Sequence, residues 1–155
     1  MARYNAQVTS AAALAVDTAF AALVPAAAVA CKLRRVTLGI AVASGSITSQ
    51  QVVVAINRGT ARGTATTTVT GQRLDPRSGA SGITGLDTVW SAAPTLAAAD
   101  AFRVAFNSQS GVDLPWELME EFLSDVGTAN PLVFVNRVTA LPANHSLVLA
   151  VEYEE

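Results

Sequence analysis

The feature that most constrains this chain is a hydrophobic period of two. In "RRVTLGIAVAS", Val36, Leu38, Ile40 and Val42 share one face, while Thr37, Gly39 and Ala41 share the other. Residues alternate this way when a strand lays one side on a core. "SGS" at 44–46 turns the chain, and "QQVVVAINRGT" follows with β-branched Val52, Val53, Val54 and Ile56. The two runs are expected to be antiparallel neighbours. "AFRVAFNSQ", "NPLVFVNRVTAL" and "SLVLAVEYEE" repeat the alternation. "YNAQV", "AFAAL" and the threonine-rich "GTATTTVTGQRL" are weaker strands.

Short strands joined by Gly, Ser, Pro and Asn turns, with almost no helix, predict an all-β antiparallel sandwich or jelly roll. The 155 residues suit one domain over 1–155, with residues 1–10 as an N-terminal arm. At that size a chain buries roughly 70% of the surface it exposes when unfolded. "DPRSGASGITGLDT" at 75–88 is turn chemistry throughout and reads as a long loop. At most one short helix is expected near 114–125, with an extended crossover as the competing reading. Asp113 would cap it, Pro115 would sit in its first turn, and Trp116, Met119 and Leu123 would form its apolar stripe.

Charged residues are only 14% of the chain, against about 25% in ordinary soluble domains. A surface this poor in charge is suited to being covered. The net charge of −2 hides an asymmetry. Eight cations and two acids precede residue 80, and Arg103 and Arg137 stand against ten acids after it. A fold that interleaves the halves would neutralise most of these charges internally. Otherwise they would meet across a subunit boundary. No basic run is dense enough for a nucleic-acid arm. Asp17 and Pro25 interrupt the apolar stretch 10–31, which argues against a membrane span. Cys31 is the single cysteine, so no intrachain disulfide forms, and its simplest role is a small buried side chain.

The acids of "DLPWELMEEFLSD" do not read as a catalytic pair. Glu117, Glu120 and Glu121 would lie on the wet side of the expected helix, away from Trp116, and so form a solvated face open to docking. Trp116→Ala would cost roughly 3–5 kcal/mol if the ring were fully buried. His145 is the only histidine, which leaves too few ligands for a zinc site, and it reads as a solvated turn residue. "GASGI" lacks the last glycine of a nucleophile elbow, and the 79–85 loop lacks the lysine and helix of a phosphate loop. No metal, cofactor or catalytic residue is predicted. Arg34 and Arg35 are adjacent, so in a regular strand they point to opposite faces. The favoured reading puts one at the rim with its charge in water. The alternative pairs it with an acid of the C-terminal half.

The order "LRRVTLGIAVASGSITSQQVVVAINRGT", "GTATTTVTGQRLDP", "DTVWSAAPTL", "PWE" and "SLVLAVEYEE" resembles the small jelly-roll head proteins of tailed bacteriophages, known as decoration, cement or minor capsid proteins. The resemblance implies a virion structural protein, assembled in the host bacterial cytoplasm. Such a protein sits on the outer capsid surface as a small oligomer, often a homotrimer, and ties capsomers of the major capsid protein together. It implies no enzyme activity, nucleic acid or membrane. On that reading Arg3, Tyr4, Arg34, Arg35, Trp116, Glu120 and Glu121 are the candidate contact residues. The competing reading is a carbohydrate- or receptor-binding jelly roll of a virion fibre or tail, whose site would want Trp90 or Trp116 exposed beside polar groups.

Overall fold

The computed structural model describes residues 2–117 and 119–155. These form two antiparallel sheets packed as a β-sandwich, with no helix. The strands are β1 (Arg3–Thr9), β2 (Thr18–Val24), β3 (Lys32–Val42), β4 (Gln51–Ala61), β5 (Thr64–Val69), β6 (Gln72–Arg73), β7 (Gly85–Ala92), β8 (Thr95–Asn107), β9 (Val112–Pro115), β10 (Phe122–Leu123), β11 (Leu132–Arg137) and β12 (His145–Glu154). The first sheet runs β10-β3-β12-β1-β6, with β9 also on the outer edge of β3. The second runs β5-β7-β2-β11-β4-β8.

The main core lies between the sheets. Leu33, Val36, Leu38, Leu147, Leu149, Val151 and Tyr153 of the first sheet meet Phe20, Leu23, Val52, Val54, Ile56, Leu132 and Phe134 of the second. On β3 and β12 the alternation is as expected, with every second side chain inward. On β2, β4 and β11 it fails, because both faces are buried. The reason is a ribbon. β4 runs on into β5 through Arg62 and Gly63, and β7 into β8 through Ala93 and Pro94. The two long segments pair with each other from Gln51↔Asn107 to Val69↔Leu86. β7 also pairs with β2, so the ribbon bends back over the sheet it started from. Trp90 and Leu96 on it cover Ala22, Val24, Val133 and Val135, a second small core. Register shifts crowd both halves of the ribbon, and such bulges bend strands.

Four expectations change. β3 and β4 lie in different sheets, since residues 43–50 cross the sandwich instead of making a hairpin. The loop expected over 75–88 ends at Gly85, where β7 begins, because Gly85 (φ 130°) supplies the backbone freedom a turn needs while β2 recruits the strand. Residues 3–9 form an inner strand between β12 and β6 and are not an arm. Among the described residues of 114–125 no helix forms, which agrees with the extended alternative. There β9 and β10 are two pieces of one broken edge strand on β3, separated by an excursion.

Candidate functional site

The broken edge strand carries most of the residues singled out in the sequence. Trp116 donates its backbone N–H to Arg34 O at 2.9 Å, which continues the β9 pairing by one residue. Its ring is half-buried and meets Phe122 and Phe102 edge-on, with centroids 5.4 and 6.1 Å apart. These three aromatics pack against the main core where the β9–β10 edge of the first sheet meets β8, the edge of the second. The stripe expected with Trp116 does not exist: Met119 has φ 76° and stands 95% exposed. Because the indole keeps some exposure, Trp116→Ala should cost about 1.5–3 kcal/mol, less than full burial would give. Glu120→Gln, on an exposed side chain, should leave stability within about 0.5 kcal/mol. Urea unfolding of both variants checks the pair.

The charges are mostly spent inside the molecule. Arg34 is the extra residue where the β3–β12 register shifts between Glu152 and Tyr153. The bulge resolves the problem of two adjacent arginines. Arg34 bonds Glu121 and lies 3.4 Å from Glu154, which also accepts from Arg3 Nε at 2.7 Å. The favoured rim position for these arginines is therefore wrong: the Arg34 side chain is 11% exposed and paired with acids of the C-terminal half. Arg35, on the outer face, makes a two-pronged bond with Asp113 at 2.8 and 2.6 Å. Arg35 and Thr37 hold the Asp113 carboxyl at about 2. Glu121 is not on a solvated face, as its side chain is 4% exposed. Its own backbone N–H, that of Met119, and the charges of Arg34 and Lys32 lower its pKa against the opposing effect of burial. Glu117 and Glu120 are exposed, as expected.

Tyr4 belongs to the core. It stacks on Tyr153 at 5.5 Å and donates its hydroxyl to Gly79 O and Ala80 O. His145 is 4% exposed, not solvated. Its Nε2 accepts the Thr48 N–H at 3.0 Å, which places the ring proton on Nδ1, 2.9 Å from Ala143 O. Both bonds are to backbone, so the ring serves as a clamp between loops and has no triad partner. Cys31 is fully buried beside Ser124, and burial pushes its thiol up to about 11. The 79–85 loop does hold an anion, but an internal one: Ser81 Oγ and the N–H groups of Gly82 and Ile83 donate to the Glu155 carboxylate.

Two polar clusters had no sequence signal. Asp100 Oδ1 accepts from Asn57 Nδ2 at 2.8 Å and Arg137 Nη2 at 2.7 Å, and Oδ2 accepts from Arg103 Nε at 2.7 Å. Burial alone would raise this carboxyl, but bonds from Arg137, Asn57 and Arg103 hold it at about 2. Asp87, wholly buried, accepts both prongs of Arg62 at 2.7 and 2.9 Å and the Thr68 hydroxyl. The Asp100 cluster ties the ribbon to β11 through Arg137, and the Asp87 cluster ties the two halves of the ribbon to each other. Apart from Arg103, three residues from Asp100, the partners in both clusters lie 19 to 43 residues apart, and no local pattern announces them.

Among the described residues, no three His, Cys, Asp or Glu side chains are grouped to hold a metal ion. Among the described residues, no helix is long and apolar enough to cross a membrane. The chain matches no family model, no curated protein and no solved structure.

Proposed function

We propose that the chain is a structural protein of a tailed-phage head. It decorates the outer surface of the capsid and bridges capsomers, as a homotrimer. It is not an enzyme, needs no cofactor, and its partners are the major capsid protein and its own copies. The observation that carries this reading is the outer face of the first sheet. Register aligns Gln7, Ala150 and Thr37 in one row and Thr9, Val148 and Gly39 in the next. The Thr37 row ends on Asp113, and two further rows carry charge: Asn5, Glu152 and Arg35, where Arg35 pairs with Asp113, and Arg3, Glu154 and Lys32, where Arg3 pairs with Glu154. The uncharged part of this face, with most of its neighbouring charges already paired, suits burial against another protein because it covers area with little desolvation of unpaired charge. Seven of the ten cations (Arg3, Arg34, Arg35, Arg62, Arg77, Arg103 and Arg137) form internal ion pairs. That leaves few charges for polar chemistry outside the fold.

The test is co-sedimentation with capsids assembled from the major capsid protein encoded alongside this chain. The chain should pellet at a fixed ratio to capsomers and should raise the temperature at which shells burst. Multivalent attachment makes that second effect large even when each contact is weak. Failure to pellet at any ratio would refute the reading.

One observation favours the competing carbohydrate- or receptor-binding role. Trp90 lines a cleft of about 220 Å³ with Thr9, Ser10, Thr18 and Thr88, and its indole N–H has no protein acceptor. A glycan array decides it. Sugar binding that Trp90→Phe abolishes would put this reading first.

A further inference from the structure

We propose that β8 is a self-pairing edge, along which two copies of this chain join their second sheets antiparallel about a two-fold axis at Val104. The contact goes beyond the capsid reading and does not depend on it. A two-fold contact cannot close a three-fold oligomer, so it links a copy in one oligomer to a copy in the next.

β8 is the last strand of the second sheet, with β4 on one side and no described strand on the other. Two bonds fix the direction of its backbone groups. Ser108 N–H donates to Gln50 O at 3.0 Å, one step beyond the Gln51↔Asn107 pair. Hydrogen-bonded pairs alternate in an antiparallel ladder, so Phe106, Val104 and Phe102 aim their backbone groups at β4. Across β4, Gly59 N–H donates to Pro131 O at 2.8 Å. That bond turns Asn57, Ala55 and Val53 toward β11 and leaves Val54 and Val52 for β8, which is the same parity. Arg103 and Ala105 therefore turn N–H and C=O away from the sheet, and among the described residues nothing bonds them.

An open edge of this kind is complementary to an extended chain, and proteins usually guard against one. The other described edge strands are guarded. β5 breaks register with β7 at three places, β6 and β10 are two residues long, and β9 ends at Pro115. From Phe102 to Asn107, β8 keeps unbroken register with β4 and contains no Pro or Gly. Its one charge there, Arg103, is tied to Asp100 at 2.7 Å, and the flanking Ala101 and Ala105 are small and exposed.

The edge itself names its occupant. "AFRVAFN" reads nearly alike in both directions about Val104. With Arg103 bonded to Ala105 of the second copy, Phe102 falls opposite Phe106 and Val104 opposite itself. These pairs extend the inner face, where Phe102 and Val104 are only half-buried in one copy. The two guanidinium groups do not oppose each other. A slip of two residues one way sets Arg103 against Arg103, a like-charge pair. A slip the other way carries Phe102 past Asn107, where β8 ends. A slip of one residue turns each inner face outward.

The test is a symmetric disulfide in the full chain, read as linked dimer on a non-reducing gel. Residues at a non-hydrogen-bonded antiparallel pair have Cα atoms about 4.5 Å apart, within disulfide reach. Val104 forms such a pair with its own copy, whereas Ala105 lies diagonal to its copy at about 7–8 Å. Cys31 is fully buried, so the unaltered chain should not link. Val104→Cys should link at least about tenfold faster than Ala105→Cys. Random collision gives the reverse order, because Ala105 is exposed and Val104 half-buried. Arg103→Cys copies mixed with Ala105→Cys copies should link to each other faster than either links to itself. Both of those sites are exposed, so this mixture decides alone where Val104→Cys unfolds. Linkage at Val104 no faster than at Ala105 overturns the proposal, as does a mixture with no preference for the cross-link. Failure of the chain to pellet with capsids would leave this contact standing.

Discussion

Asp100→Ala is expected to destabilise the protein by about 2–4 kcal/mol, because a mostly buried cation loses its buried partner and a buried amide loses one of its acceptors. The Asp100 side chain is 3% exposed and that of Arg137 is 18% exposed. Arg137 would retain only Asp17, at 2.7 Å on a side chain that is 66% exposed. Asn57 is fully buried and would lose its carboxylate contact while still bonding Ala97 and Ala99. The pH dependence separates this cluster from ordinary packing loss. The Asp100 carboxyl is held at about 2, below its usual 3.8, so the folded state binds its proton more weakly than the unfolded state does. A depressed carboxyl of this kind stabilises the fold above the unfolded value, and the stabilisation fades as pH falls from about 4 toward 2. The size is roughly 2 kcal/mol, from about 1.4 kcal/mol per unit. Urea unfolding at pH 7 and at pH 2.5 should show the gap between wild type and variant narrowing by that order. Asp113 titrates in the same window but is present in both proteins, so it cancels from the difference. Equal stabilities at pH 7 would mean that the cluster contributes nothing to the fold.

The fold class was legible because it depends on a local signal. Val36, Leu38, Leu147, Leu149 and Val151 alternate in the sequence and alternate in burial. What stayed hidden was long-range. "VVVAI" reads the same whether a strand has one buried face or two, so the ribbon over the second sheet left no mark beyond continuous apolar runs. The 116–121 excursion misled for a related reason. Its apolar residues sit at helical spacing, yet the backbone of Trp116 is claimed by Arg34 and that of Ser124 by Cys31, which pins the segment to β3 at both ends. Sheet pairing outside the window overrode a local pattern. Of the candidate contact residues, Arg3 and Arg34 meet at Glu154 and Arg34 also holds Glu121; pairing with an acid of the C-terminal half was the alternative reading of the arginines, but nothing local named which acid. Tyr4 went to the core, and Glu120 remained on the surface. Ion-pair partners separated by 87 and 151 residues become visible only once β1, β12 and β3 are known to be neighbours.

Gly63→Ala is the second change expected to have a large effect, and it tests whether the folded-back ribbon is what seals the second core. Gly63 joins β4 to β5 with φ 75°, in the left-handed region that costs an L side chain about 1–2 kcal/mol. A methyl group there would sit 2.3 Å from Ala92 O and 2.7 Å from Ala93 C. Both are backbone atoms of the opposing β7–β8 link, so no flexible side chain can give way. Strain and clash together should cost about 3 kcal/mol or more. Gly39→Ala is the matched control. It lies in β3 with nothing within 4 Å of the added carbon, and it should be neutral or stabilise by up to about 1 kcal/mol. The two outcomes for Gly63→Ala differ in mechanism. If the ribbon and sandwich unfold together, denaturant melting shows one shifted transition. If the ribbon lifts alone, Ala22, Val24, Val133 and Val135 lose their cover while the main core survives. Trp90 then becomes open to acrylamide quenching, in a Trp116→Phe background, before the sandwich melts. Wild-type stability with Trp90 still shielded would mean that the chain passes this corner without the constraint assigned to it. The buried outer face of β2 and β11 would then need another explanation.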